Sequence, residues 1–156
     1  MEKKRKPFDK DTCKRIPFED LIKMIGQNCD YKFAIIDYEV DEELKTIANS
    51  VGINLDGYKN VIETTGINHS QNRHGELSKD RMPLSLEDYL LIPYIIKYRD
   101  EVEISNNNSR SHHHKTFIYR KAIGNQYVFV EEIRIGRNKS LAFQTLYKRS
   151  IKKPPV

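Results

Sequence analysis

Apolar residues follow two different periods along the chain, and the change between them falls near residue 115. Upstream, Phe33-Ala34-Ile35-Ile36-Asp37-Tyr38 is a short apolar run suited to a strand. Asp41 is placed to cap a helix from 42 to 50, with acidic residues in its first turn and Gly52 just beyond its end. Residues 54–58 have turn chemistry, and 61–64 suit a short strand. A short helix is expected over 67–74, ending at Gly75, where glycine tolerates a left-handed cap. Ser85-Leu86-Glu87-Asp88 has capping-box spacing, and Leu86, Tyr89, Leu90, Pro93, Ile96 and Lys97 describe one broad face of a helix that Pro93 is expected to kink or split.

Beyond the polar stretch 105–115, apolar and polar residues alternate. Three strands are expected, over 115–121, 126–135 and 140–149, joined by turns at Gly124-Asn125 and at Gly136-Arg137-Asn138-Lys139. Helices first and a hairpin-linked sheet last predict an α+β domain, with N-terminal helices packed on a twisted antiparallel sheet. Residues 1–30 read as an N-terminal extension or linker with one amphipathic stretch, 18–25, and residues 31–156 as the domain.

Charge narrows the partners. The 156 residues carry a net charge of +5, with Lys3, Lys4, Arg5 and Lys6 near one end and Lys148, Arg149, Lys152 and Lys153 near the other. A basic chain favours polyanions through phosphate contacts and counterion release, although solvated basic tails have the same composition. The longest apolar stretch, 89–96, is interrupted by Pro93 and is far short of the roughly 20 residues that span a bilayer. No signal peptide is read at Met1, so the expectation is a soluble chain with no membrane partner, not exported by its own N-terminus. Cys13 and Cys29 have no metal-ligand spacing and read as reduced thiols. His112, His113 and His114 are consecutive, a poor geometry for a zinc site. No metal or cofactor is expected.

Candidate chemistry sits in two places. His69 and Arg73 are four apart, about 40° around a helix, so they share a face; His74 lies about 140° from His69. The alternative is a solubilising helix with surface histidines. In the strands, Thr145 and Tyr147 are two apart and leave the same side, as do Tyr119 and Lys121. A hydroxyl beside a phenol suits a phosphate or ribose, while Thr and Tyr are also good strand formers and Lys121 is a plausible edge charge.

Taken in order, Leu55-Asp56-Gly57-Tyr58, Ile67-Asn68-His69 with Arg73-His74-Gly75, and Leu86-Glu87-Asp88-Tyr89 with Ile92-Pro93-Tyr94-Ile95-Ile96 resemble the phage-type branch of the Barnase–EndoU–colicin–RelE nuclease superfamily. Tyr119-Arg120-Lys121 and Thr145-Leu146-Tyr147 continue the resemblance, which covers roughly residues 33–149. It implies a metal-independent ribonuclease used as a toxin or effector, with its site in the concave face of the sheet. By that resemblance His69, His74, Lys121, Thr145 and Tyr147 take the catalytic roles, with the two histidines assigned jointly. Arg73 and Tyr119 bind substrate, Arg73 standing where colicin-type members place a basic residue on the histidine-bearing helix. His69 or His74 is expected to line one cleft with Lys121, Thr145 and Tyr147.

The expected partners are RNA, with tRNA foremost, and an acidic immunity protein that protects the producing cell. Action in the bacterial cytoplasm, after delivery at the C-terminal end of a larger secreted toxin or phage protein, is the implied setting. The rival expectation is a non-catalytic basic RNA- or protein-binding module of a phage head protein.

Overall fold

A computed structural model describes residues 14–24, 32–36, 39–74, 82–105, 115–135 and 139–150, with backbone only at 14 and 72–74. In chain order these form β1 (Lys14–Arg15), α1 (Phe18–Lys23), β2 (Lys32–Ile36), α2 (Glu42–Asn49), β3 (Asn60–Glu63), α3 (Thr64–His74), α4 (Leu86–Leu90), α5 (Ile92–Lys97), β4 (Glu101–Ser105), β5 (Thr116–Ile123), β6 (Asn125–Arg134) and β7 (Ser140–Arg149). The fold class is α+β, as the period change predicts.

Local chemistry accounts for several element boundaries. The Asp41 carboxylate accepts from the Leu44 backbone N–H and opens α2, and the Ser85 backbone N–H donates to the Asp88 carboxylate at 2.7 Å at the start of α4. Pro93 falls in the first turn of α5, where its missing N–H costs nothing, so the expected long helix is divided into α4 and α5. Gly124 adopts φ +71 between β5 and β6, a conformation that side chains disfavour in a tight hairpin.

The strands form one sheet in the order β1-β2-β3-β7-β6-β5-β4. β4, β5, β6 and β7 are mutually antiparallel neighbours, whereas β1 runs parallel to β2 and β3 parallel to β7. β3 meets β7 only at Asn60–Leu141 and Val61–Ala142 before the chain turns into α3.

Cross-strand register separates the two faces of the sheet. Ala34, Ile36, Ile62, Phe117, Tyr119, Tyr127, Phe129, Ile133, Leu141, Phe143 and Leu146 all point into the main core. The helices bury Leu21, Ile22, Leu44, Ala48, Ile67, Tyr89, Ile92, Ile95 and Ile96 against them. Ring contacts Tyr119–Phe129 at 5.5 Å and Phe129–Phe143 at 5.7 Å run across three strands, each adding on the order of 1 kcal/mol beyond area burial. The opposite face carries a smaller apolar cluster, Phe33 and Val61 with Ile35, and mixes Ile118, Val128 and Val130 with polar side chains; we call it the open face.

Residues 14–24, expected as extension or linker, are part of this architecture. β1 adds a strand beside β2, and Leu21 and Ile22 on α1 are buried in the main core, so the boundary expected at residue 30 does not separate them from the domain. The amphipathic stretch supplied a helix with enough apolar area to dock.

Candidate functional site

β7 contains an irregularity that decides where its side chains go. Val130 pairs with Thr145, but the next residue on β6, Glu131, pairs with Phe143, which leaves Gln144 as an extra residue: a β-bulge. Before the bulge, Leu141 and Phe143 face the core; after it, Leu146 does. The bulge therefore turns Thr145 and Tyr147 onto the open face, together with Ser140 and Ala142. In an unbroken strand, Thr145 and Tyr147 would have pointed into the core beside Lys121.

Lys121 is on the other side. It pairs with Tyr127, which points into the main core, whereas Tyr147 pairs with Val128. The Lys121 ammonium meets the Asp100 carboxylate at 3.0 Å and lies over the Tyr94 ring at the helix-covered rim. The expectation that Lys121 lines one cleft with Thr145 and Tyr147 therefore does not hold, and the bulge at Gln144 is the reason. Tyr119 is likewise unavailable to substrate. It is fully buried, and its hydroxyl donates to Glu131 Oε1 at 2.5 Å inside the core.

α3 occupies the edge of β7 that β3 leaves uncovered. At Gly66, a Cβ would stand only 3.1 Å from the Phe143 carbonyl oxygen, so helix and strand approach there as closely as glycine permits. One turn on, the buried Ser70 hydroxyl contacts the carbonyl of Leu146 at 3.3 Å and its N–H at 3.4 Å. Residues 66 and 70 thus define the side of α3 that abuts β7. Ile67, displaced about 60–100° one way, enters the main core; His69, displaced by a similar angle the other way, emerges exposed on the flank next to the open face. Helical geometry therefore turns His69 toward the side of the sheet that carries Thr145 and Tyr147. Arg73 and His74 belong to α3, but their side chains lie outside the described residues, as do Gly75 and the three consecutive histidines.

The open face also carries charges that the pattern reading did not single out. Arg134 on β6 reaches Glu63 on β3 at 2.7 Å and Glu132 at 3.2 Å, across the buried Ser140 and Ala142 of β7. These small residues leave room for the guanidinium to cross the strand. Arg134 Nη1 and Gln144 Oε1 are buried with no hydrogen-bond partner among the described residues. At the far end of the face, Arg149 donates to Gln126 at 2.6 Å, and Arg120, directly across Val128 from Tyr147, pairs with Glu103 at 3.1 Å.

A different set of ionisable groups holds the covered face together. Burial raises the Glu131 carboxyl to about 8, against the lowering effects of its Tyr119 hydrogen bond and of Arg99. The amide of Asn60 lies 2.5 Å from its second oxygen. Asp88 shows the opposite balance. Although burial opposes ionisation, hydrogen bonds from Tyr127, the Ser85 backbone and Lys148 hold its carboxyl below the usual range.

A family model described as phage-Barnase-EndoU-ColicinE5/D-RelE like nuclease3 matches residues 38–154, three quarters of the chain. The chain belongs to this family. It is thereby a nuclease, and its α+β fold is consistent with that family. No match was found among curated proteins or among solved structures. Among the described residues, no helix is long and apolar enough to cross a membrane.

Proposed function

We propose that this family member is a metal-independent endoribonuclease whose reaction takes place on the open face of the sheet, at the seam between α3 and β7. The observation that carries the reading is the bulge at Gln144, which delivers Thr145 and Tyr147 to the side on which His69 emerges. Bulges recur beside active sites because one extra residue re-aims the side chains that follow it.

The chemistry starts with the ribose 2′-oxygen attacking the adjacent phosphorus while the bond to the 5′-oxygen breaks. The 2′-proton passes to a base and another proton is delivered to the leaving oxygen, giving a 2′,3′-cyclic phosphate and a 5′-hydroxyl. An imidazole suits either transfer, since its ordinary pKa of about 6.5 lies near neutrality and proton transfer of this kind contributes on the order of 10²–10⁴ in rate. His69 takes one of these transfers, with Arg73 and His74 following on the same helix. Thr145 and Tyr147 orient the phosphate or ribose. The net charge of +5 supports an RNA substrate, with tRNA as the class to test first, and an acidic inhibitory protein that covers the open face in the producing cell. Toxin or effector action in a bacterial cytoplasm, after delivery as the C-terminal part of a larger protein, completes the proposal.

The test is incubation of the purified chain with total tRNA in EDTA, followed by mapping of the cut ends. Cleavage leaving cyclic phosphate and 5′-hydroxyl ends supports the reading. Cleavage only after magnesium or zinc is restored would move the enzyme to metal-assisted chemistry. Tight binding without any cleavage would point to an RNA-binding module.

A further inference from the structure

We infer that Ser70 is a positioning residue that fixes His69 on α3 relative to Thr145 and Tyr147 on β7; this rests on the ribonuclease reading above. Ser70 is fully buried and the proposed reaction does not use it. Its hydroxyl oxygen stands 3.3 Å from the Leu146 carbonyl, 3.4 Å from the Leu146 N–H and 3.3 Å from the Tyr89 hydroxyl. His69 is one residue before Ser70, and Thr145 and Tyr147 are the residues on either side of Leu146. One hydroxyl therefore joins the two backbones at the point where both carry the proposed site.

The demand for such a joint comes from the topology. Among the described residues no strand pairs with β7 on the β3 side beyond Ala142, so the outward N–H and C=O of Leu146 are met there by partners that are not a ladder. A serine hydroxyl both donates and accepts, so one small side chain answers both groups where a larger one would force α3 away. Gly66 gives the second contact, against Phe143. Together the two contacts bracket the bulge, since Phe143 precedes Gln144 and Leu146 follows Thr145. α3 is thus seated against β7 on both sides of the bulge, which fixes where His69 stands relative to that strand.

Catalysis by oriented groups is sensitive to this kind of joint, because a misplacement of about 1 Å can cost on the order of 10²-fold. Ser70→Ala is expected to lower kcat for RNA cleavage by roughly 10- to 100-fold with KM changed by less than about threefold. The deciding readout is the same substitution in a His69→Ala background. If Ser70 acts by placing His69, its loss there costs less than about twofold, because the group it places is already gone. A loss by the same factor in both backgrounds would mean that Ser70 only supports the fold, and would overturn the inference. So would an unchanged kcat in Ser70→Ala. If that variant fails to give a cooperative thermal melt, the double variant Ser70→Ala/Tyr89→Phe removes the orphaned phenol hydroxyl and is judged by the same two criteria. The underlying reading fails separately. A wild-type chain that leaves RNA intact, or a His69→Ala variant as active as wild type, overturns the ribonuclease assignment and this inference with it.

Discussion

Lys121 and Tyr147 project from opposite faces of one sheet, although only β6 lies between their strands: Lys121 stands across from Tyr127 and Tyr147 across from Val128. The extra residue at Gln144 creates that separation. Lys121 keeps its ion pair with Asp100 at the helix-covered rim, while Tyr147 joins the open face on the side toward which α3 exposes His69. Asp100 and Asp88 with their lysines therefore lie on the helix-covered side. The side chains proposed to handle phosphate are on the other.

Glu131 makes stability depend on pH. Its carboxyl is raised to about 8 in the fold, while an unfolded glutamate titrates near 4.3. Between those values the folded chain binds more protons than the unfolded one, so stability falls as pH rises. Urea denaturation should give a lower midpoint at pH 8.5 than at pH 5.5, and Glu131→Gln, which stays neutral, should remove most of that difference. An equal pH dependence in wild type and variant would show that Glu131 is not the group responsible.

Asp88 acts in the opposite direction. Its lowered pKa means that the stability it supplies is present above the ordinary carboxylate range and is lost as pH falls through its folded value. Asp88→Ala strands the Tyr127 hydroxyl, the Ser85 N–H and the Lys148 ammonium, the last 3.0 Å from the carboxylate. A loss of roughly 3 kcal/mol is expected in equilibrium unfolding at pH 7, as for other well-buried pairs broken on one side. A change within about 0.5 kcal/mol, typical of a surface site, would show the network to be solvated.

Gly66→Ala sets two effects against each other. Alanine is favoured in a helix interior by about 1 kcal/mol, but its methyl would stand 3.1 Å from the Phe143 backbone oxygen, which a hydrogen-bonded strand does not easily yield. Overpacking of this kind costs about 1–3 kcal/mol, so a net destabilisation near 1 kcal/mol is expected, with a fall in RNA cleavage. A more stable and equally active variant would show that α3 does not need its close approach to β7.

Much of this architecture is written in local pattern. The Asp41 cap, the Ser85–Asp88 pair, the break at Pro93 and the three final strands all follow from rules that act over a few residues. The division of the site between faces does not follow from strict alternation, which assigns Thr145 and Tyr147 to the face of Leu141 and Phe143. The signal was nevertheless present: apolar residues at 141, 143 and 146 break the period of two, and a three-residue step inside a strand marks a bulge. β1 and β4 were not legible because a two-residue strand and the acidic Glu101-Val102-Glu103 have little strand character of their own, and their neighbours in the sheet define them. Ser70 was invisible for a different reason. A serine within a polar helix reads as surface until the edge of β7 is placed against it.

If RNA is cut on the open face, substitutions on the two faces of the sheet must have unequal effects. Single-turnover cleavage of tRNA in EDTA would be compared for wild type, Tyr147→Phe and Lys121→Ala. A rate at least tenfold lower is expected for Tyr147→Phe and a rate within about threefold of wild type for Lys121→Ala, since only the former loses a group proposed to orient substrate. A large loss in Lys121→Ala beside a near-normal Tyr147→Phe would contradict it and place the reaction on the helix-covered side.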